Sequence, residues 1–278
     1  MIIAPSINRL NQGSALLFLS YLVLGACAGL LAGLFGIGGG LIIVPALVFS
    51  FQLQGMAPEV LTHVAVGTSL ATIVVTSLSS IRTHHQKGGV RWPLFRPLAA
   101  GIVVGAVFGV KTAGRLSGEG LQLLIGCFAL SIALQLALNL KPRASQPPPR
   151  RPELALVGGF IGWGSALFGI GGGSLTVPYL SWKNIRMQQA VGTSAACGLP
   201  IALVGALTNM EEGWGNPLLA DWSLGYVYLP AFVGIVLTSA LCARFGAQLA
   251  HRLPELILKR TFALLLLLVG LLFILPNL

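Results

Sequence analysis

Apolar positions run along this chain in long blocks separated by short polar stretches. A helix that crosses a bilayer needs about 20 mainly apolar residues. Eight blocks approach that length: 15–33, 62–81, 93–113, 119–139, 154–168, 188–209, 223–243 and 256–276. Two more apolar pieces, 41–51 and 174–182, are too short to cross as straight helices. Between the fourth and fifth blocks lies "KPRASQPPPRRPE", residues 141–153, whose prolines and charges fit no span and mark a linker. The pattern predicts an all-α polytopic membrane protein. It has a first membrane repeat over 1–140, a cytoplasmic linker over 141–153 and a second membrane repeat over 154–278.

The word "repeat" rests on identity as well as pattern. Residues 34–45 read "LFGIGGGLIIVP" and residues 167–178 read "LFGIGGGSLTVP", with nine of the twelve letters in common. "AVGTS" occurs at 65–69 and again at 190–194, and "RPLAAGIVVG" at 96–105 parallels "LPAFVGIVLT" at 229–238. Each glycine motif interrupts an apolar run. Irregular backbone at membrane depth survives only where protein or a wet cavity covers it, since lipid satisfies no N–H or C=O group. The motifs are therefore expected as tips of re-entrant helical hairpins, each accompanied by about three transmembrane helices.

Composition agrees with a membrane protein: 55% of residues are hydrophobic, 9% are charged and mean hydropathy is +0.86, against roughly 25% charged in soluble domains. The net charge of +10 suggests no nucleic-acid partner, because the basic residues are scattered through short loops. Those loops decide the threading. With each glycine motif as a hairpin tip, one side receives Arg82, Lys87, Arg91, Arg96, Lys141, Arg143, Arg150, Arg151, Lys183, Arg186, Arg244, Arg252, Lys259 and Arg260, against Glu153 and Glu255. The other side receives Arg9, Lys111 and Arg115 against Glu59, Glu119, Glu211, Glu212 and Asp221. A chain that crossed through the glycine breaks would put the acidic loop 209–221 beside the basic loop 82–96. The positive-inside rule thus favours hairpins, both termini outside and two halves of inverted orientation. Inverted repeats with broken helices near the midplane are a transporter signature.

The candidate chemistry follows from the breaks. The first N–H groups of a helix have no intrahelical partner and carry the positive end of its dipole. Glycine lets an anion approach them closely. Gly36, Gly38, Gly39 and Gly40 in the first motif, and Gly169, Gly171, Gly172 and Gly173 in the second, are the candidate substrate-binding residues, and the two tips are expected to converge on one site. Ser174 adds a hydroxyl where the first motif has Leu41. Gly67, Thr68 and Ser69, with Gly192, Thr193 and Ser194, add hydroxyls and close approach just beyond each hairpin. Pro45 and Pro178 are expected to shape the helix breaks. A dinucleotide fingerprint is excluded, because Leu41 stands where its third glycine is required.

All charged residues fall in loops or at span ends, so no buried carboxylate is expected to carry coupling. No metal site, cofactor or catalytic residue is expected. His63, two positions before "AVGTS", reads as a satisfied or interfacial histidine. Cys27, Cys127, Cys197 and Cys242 read as small buried hydrophobes. Residues 15–33 read as a retained membrane segment, although Leu24–Cys27 faintly resembles a lipoprotein cleavage box.

At the two glycine motifs and the two "AVGTS" segments the sequence resembles the sulfite exporter TauE/SafE family, also called the 4-toluene sulfonate uptake permease family, over about residues 15–276. The resemblance implies a permease of a bacterial-type inner membrane for small sulfur-containing or organic anions such as sulfite, thiosulfate or a sulfonate. The family's names cover both uptake and export. The expected partners are a small anionic substrate, the lipid bilayer and a proton or another coupling ion. The rivals are a carrier of a metal cation or neutral metabolite, a membrane assembly factor and a membrane-embedded enzyme. The last would need acid and base groups in reach of each other, and the His84–His85 loop has no acidic partner.

Overall fold

The computed structural model describes residues 18–31, 39–138, 149–250 and 255–277. Among the described residues ten helices follow one another in two sets of five. In the first set α1 spans Phe18–Leu31, α2 Gly40–Leu53, α3 Pro58–Gln86, α4 Trp92–Ala113 and α5 Gly118–Ala137. In the second α6 spans Arg151–Leu167, α7 Gly173–Trp182, α8 Met187–Glu212, α9 Leu229–Ala250 and α10 Glu255–Ile274, with a final 3-10 turn at Leu275–Asn277. Four described helices are long and apolar enough to cross a membrane: α3, α4, most of α5 and α8.

Helix boundaries differ from the hydropathy blocks in three places. The helix α3 has 29 residues, about 43 Å at 1.5 Å per residue, because Pro58 starts it in the first turn where its missing N–H costs nothing. The linker ends early: Arg151, Pro152 and Glu153 form the first turn of α6, capped at Arg150. The block 223–243 does not start as helix. Strands β1 (Ser223–Leu224) and β2 (Val227–Tyr228) pair antiparallel ahead of α9, turning at Gly225, whose φ is +54°.

Packing couples the two sets rather than keeping them apart. On α4, Gly101, Gly105 and Gly109 lie directly against Ala155, Gly159 and Trp163 of α6. Position rises together on both helices, so α4 and α6 run parallel. The equivalent contact joins α1 to α9: Gly25 meets Ile235 and Thr238, Gly29 meets Ser239, and Gly234 meets Tyr21. Small residues at such seams let backbones approach closely, which is how helices gain packing energy in lipid. The equivalent helices α3 and α8 run antiparallel, since Gly67 lies near Asn209, Leu70 near Gly205 and Ser77 near Gly198. The pair α5 and α10 is also antiparallel: Gln122 meets Asn277, and Gly126 meets Phe273 and Ile274.

These directions define the path of the glycine-broken segment. The helix α4 runs parallel to α8, with Arg91 at Thr193 and Lys111 at Glu212. So α6 and α8 point the same way, and α7 between them brings the chain back. The open end of this hairpin is closed by Glu153, whose carboxylate is 2.7 Å from Lys183 Nζ and accepts from the Tyr179 hydroxyl at 2.9 Å. The first hairpin has a matching clasp: Tyr21 Oη, on α1, donates to Gln54 Oε1, just past α2, at 2.8 Å.

Large apolar side chains face outward all around, among them Phe108, Phe160, Leu207, Leu241 and Leu272, as lipid contact requires. The thiols are all free. Cys197 is buried, as expected, but Cys27 and Cys127 are exposed on the apolar surface. This corrects the expectation for those two.

Candidate functional site

The first tip is described from Gly39 onward, and Gly36 and Gly38 lie outside the described residues. Gly39 holds φ at 77° and caps the start of α2. Its carbonyl accepts from the N–H groups of Ile42 and Ile43, both at 2.9 Å. In the second tip Gly169 holds φ at +67°. The chain then passes Ile170, Gly171 and Gly172 before α7 opens at Gly173, with the Thr176 N–H donating to the Gly172 carbonyl at 2.8 Å. Both positive φ values are positions where a side chain would be strained.

The structure brings the tips together. A Cβ placed on Gly40 would stand 2.5 Å from the Gly169 carbonyl oxygen and 2.7 Å from Ile170 Cα, so the hydrogen side of Gly40 packs on the other tip's backbone. Around this meeting point lies an apolar collar. Leu41 and Ile170 are buried with Ala129, Ala133, Leu266 and Val269, with Phe128 stacked on Phe168 at 4.4 Å between centroids. The antiparallel pair α5–α10 thus covers both tips.

The "AVGTS" residues divide into two roles. Ser69 Oγ donates to the Gly169 carbonyl at 2.8 Å and so holds the second tip. Ser194, its equivalent, lies at the second tip too: its carbonyl oxygen is 3.3 Å from a Cβ placed on Gly172. Thr68 and Thr193 instead hold loops. Thr68 Oγ1 accepts from the Tyr228 N–H at 3.0 Å, and Thr193 Oγ1 accepts from the Arg91 N–H at 3.0 Å. Gly67 packs against the Tyr226 carbonyl and Gly192 against Gly89. Adjacent residues on a helix point about 100° apart, so Thr and Ser of one motif serve different neighbours. Each motif clamps the entry loop of a helix from the other set.

Pro45 and Pro178 lie inside α2 and α7, about one turn past the glycines. Among the described residues, Gly39 precedes α2 and Gly169 to Gly172 precede α7, with positive φ at Gly39 and Gly169. His63 is buried at 6% exposure, stacked near Tyr226, with Nε2 3.0 Å from the Ala113 carbonyl. That fits the satisfied histidine expected on one of its two nitrogens; Nδ1 has no partner among the described residues.

Sequence reasoning missed two side chains. Thr176 is fully buried, with Oγ1 3.3 Å from a Cβ on Gly172. Ser77 brings Oγ to 3.1 Å from a Cβ on Gly198, a position that is also 3.9 Å from the Gly172 nitrogen. The signal for Thr176 was present as a Thr in place of Ile43 within the repeat. No signal in the sequence pointed to Ser77.

Among known proteins, the sulfite exporter TauE/SafE family profile matches residues 21–273. A probable membrane transporter protein of Haemophilus influenzae is 40% identical over 250 residues, covering 90% of this chain and 95% of that protein. Another of Methanocaldococcus jannaschii is 27% identical over 84% of this chain and 86% of its own. A third, from Bacillus subtilis, is 30% identical over 73% of this chain and 82% of its own. No solved structure matches.

Proposed function

This chain belongs to the sulfite exporter TauE/SafE family of membrane transporters, and from that premise we propose that it is a secondary permease moving a small sulfur-containing or organic anion, such as sulfite, thiosulfate or a sulfonate. The observation that carries the reading is the meeting of the two glycine tips at Gly40 and Gly169. A helix N-terminus at this meeting point offers N–H groups and a positive dipole end in surroundings of low dielectric, where an anion gains most from them.

The opposed directions of α3 and α8, and of α5 and α10, support reading the two sets of helices as inverted repeats, with the site near their shared axis. The basic loops then face the cytoplasm and both termini face outward. Exchange of access follows from rocking, but the rocking units are not the two halves of the sequence. The glycine seams hold α6 on α4 and α9 on α1. Each moving unit therefore mixes helices from both repeats.

The test is flux of labelled sulfite, thiosulfate and methanesulfonate into proteoliposomes. Saturable flux above empty liposomes, lost in a folded Gly172→Val variant, is the expected outcome. Absence of anion flux in the wild-type protein would refute the reading. Binding of a divalent cation in its place would favour the cation-carrier rival.

A further inference from the structure

The two tips are alike in sequence and unlike in lining. At the first, Ile73 Cδ1 lies 3.1 Å from a Cβ placed on Gly40, so an aliphatic side chain stops the start of α2. Leu41 and Ile43, in the first turn, are both buried at 3% exposure. At the second tip the equivalents in the repeat are Gly198 for Ile73, Ser174 for Leu41 and Thr176 for Ile43. Gly198 has Ser77 Oγ and the Gly172 nitrogen beside it, and a Cβ placed on Gly172 would meet Ile201 Cδ1 at 3.1 Å and Thr176 Oγ1 and the Ser194 carbonyl oxygen at 3.3 Å, so this tip is lined by a hydroxyl as well as by an aliphatic side chain.

The hydroxyls at this second tip are unspent. Ser174, Thr176 and Ser194 are 8%, 0% and 1% exposed, and their hydroxyl oxygens have no hydrogen-bond partner among the described residues. On α3 and α8 other hydroxyls bond back to the preceding turn, Thr72 to the Ser69 carbonyl at 2.7 Å and Thr208 to the Val204 carbonyl at 2.9 Å, although Ser165, Ser223 and Ser239 are unpartnered as well. Back-bonding is the ordinary fate of a Ser or Thr in an apolar helix. Burying a hydroxyl without a partner is unfavourable. Thr176 Oγ1 stands at the N-terminus of α7, Ser174 lies in its first turn and Ser194 meets Gly172 through its carbonyl, so three residues with unpartnered hydroxyls gather where a ligand that accepts hydrogen bonds would be held.

Resting on the permease reading above, we propose that the protein has a single anion subsite, at the start of α7, formed by the N–H groups following Gly172 and the hydroxyls of Ser174, Thr176 and Ser194, with Ser77 reaching in from α3. The tip at α2 is its plugged counterpart and serves packing. The donors are neutral, and the residues that meet Gly172 carry no charge. A second negative charge would be desolvated without a counter-ion there, at high cost. The subsite therefore takes a singly charged oxyanion in preference to a doubly charged one.

The experiment measures methanesulfonate and sulfate binding to the purified full-length protein by titration calorimetry, with methanesulfonate flux in proteoliposomes alongside. The wild type is expected to bind methanesulfonate and to discriminate against sulfate. Thr176→Val and Ser194→Ala are each expected to weaken methanesulfonate binding about tenfold, and Thr176→Ser to restore it. Ile43→Val, at the plugged tip, is expected to leave affinity unchanged. Thermal unfolding of each variant verifies that it is folded. If Thr176→Val and Ser194→Ala bind and transport as wild type does, the one-sided subsite is wrong while the permease reading stands. Equal loss from Ile43→Val would also overturn it. If the wild type neither binds nor transports any small anion, both readings fall together.

Discussion

The hydroxyl of Ser69 and the carbonyl of Gly169, 100 positions apart in sequence, are joined by a 2.8 Å hydrogen bond at the point where the glycine tips meet. The bond is buried, and it spends on α3 the carbonyl that the left-handed Gly169 leaves outside any helix. Ser69→Ala is expected to leave that carbonyl unpaired in an apolar site, at about 1–3 kcal/mol. The measurement is the unfolding midpoint in detergent. A variant as stable as the wild type would mean that water or the neighbouring backbone takes over the carbonyl.

The α4–α6 seam predicts an asymmetry between two glycines of one contact. A Cβ on Gly105 would collide with the backbone of Gly159, whereas a Cβ on Gly159 would meet nothing nearer than the Gly101 carbonyl oxygen at 3.8 Å. Gly105→Val should force the helices apart and abolish the folded protein. Gly159→Ala should be tolerated, with stability within about 1 kcal/mol of wild type, and better if its helix propensity tells. Size-exclusion profiles of the two purified variants distinguish these outcomes.

Thr68 and Thr193 are loop clamps, and their variants should behave as such. Thr68→Val strands the Tyr228 N–H and Thr193→Val strands the Arg91 N–H. Each is expected to cost about 1–3 kcal/mol of stability while leaving KM for the transported anion unchanged in the folded fraction. A rise in KM with unaltered stability would place these threonines in the substrate path instead.

The Glu153–Lys183 clasp predicts an acid limit. The Lys183 ammonium, hydrogen-bonded to the Glu153 carboxylate, holds its carboxyl below the usual carboxylate range; burial opposes this and the Tyr179 hydroxyl assists it. Because the pKa is lowered on folding, the contribution is present above the unfolded value of about 4.3 and is lost as pH falls through the folded value. Melting temperature should therefore fall on acidification below about pH 4.3, and less steeply in Glu153→Gln. Equal acid slopes in the two proteins would show that the clasp adds nothing.

Much of this architecture was legible in the sequence because its signals are local. Apolar blocks, glycine breaks and prolines each act over a few residues, so ten helical pieces and their duplication follow from pattern alone. The β-hairpin at 223–228 was not legible, because its aromatic and apolar residues fit a span equally well. Within "AVGTS" the sequence marked the right segment and could not divide it. Thr68 and Ser69 differ by one helical step, and only the neighbours across each face assign one to a loop and the other to a tip.

Sequence by itself determined that the chain lives in a membrane, that it is built twice, and that two glycine runs interrupt its apolar pattern. Only the tertiary structure decided that α6 belongs with α4 and α1 with α9, and that the tips meet. It also decided that the start of α2 is met by Ile73 while the start of α7 is met by Ile201, Thr176 and Ser194. The reason is that a motif fixes its own backbone, whereas the groups placed opposite it come from distant chain segments. Two copies of one motif can therefore face different surroundings, and here one faces Ile73 and the other tip's backbone while the second faces Ile201 together with the Thr176 hydroxyl.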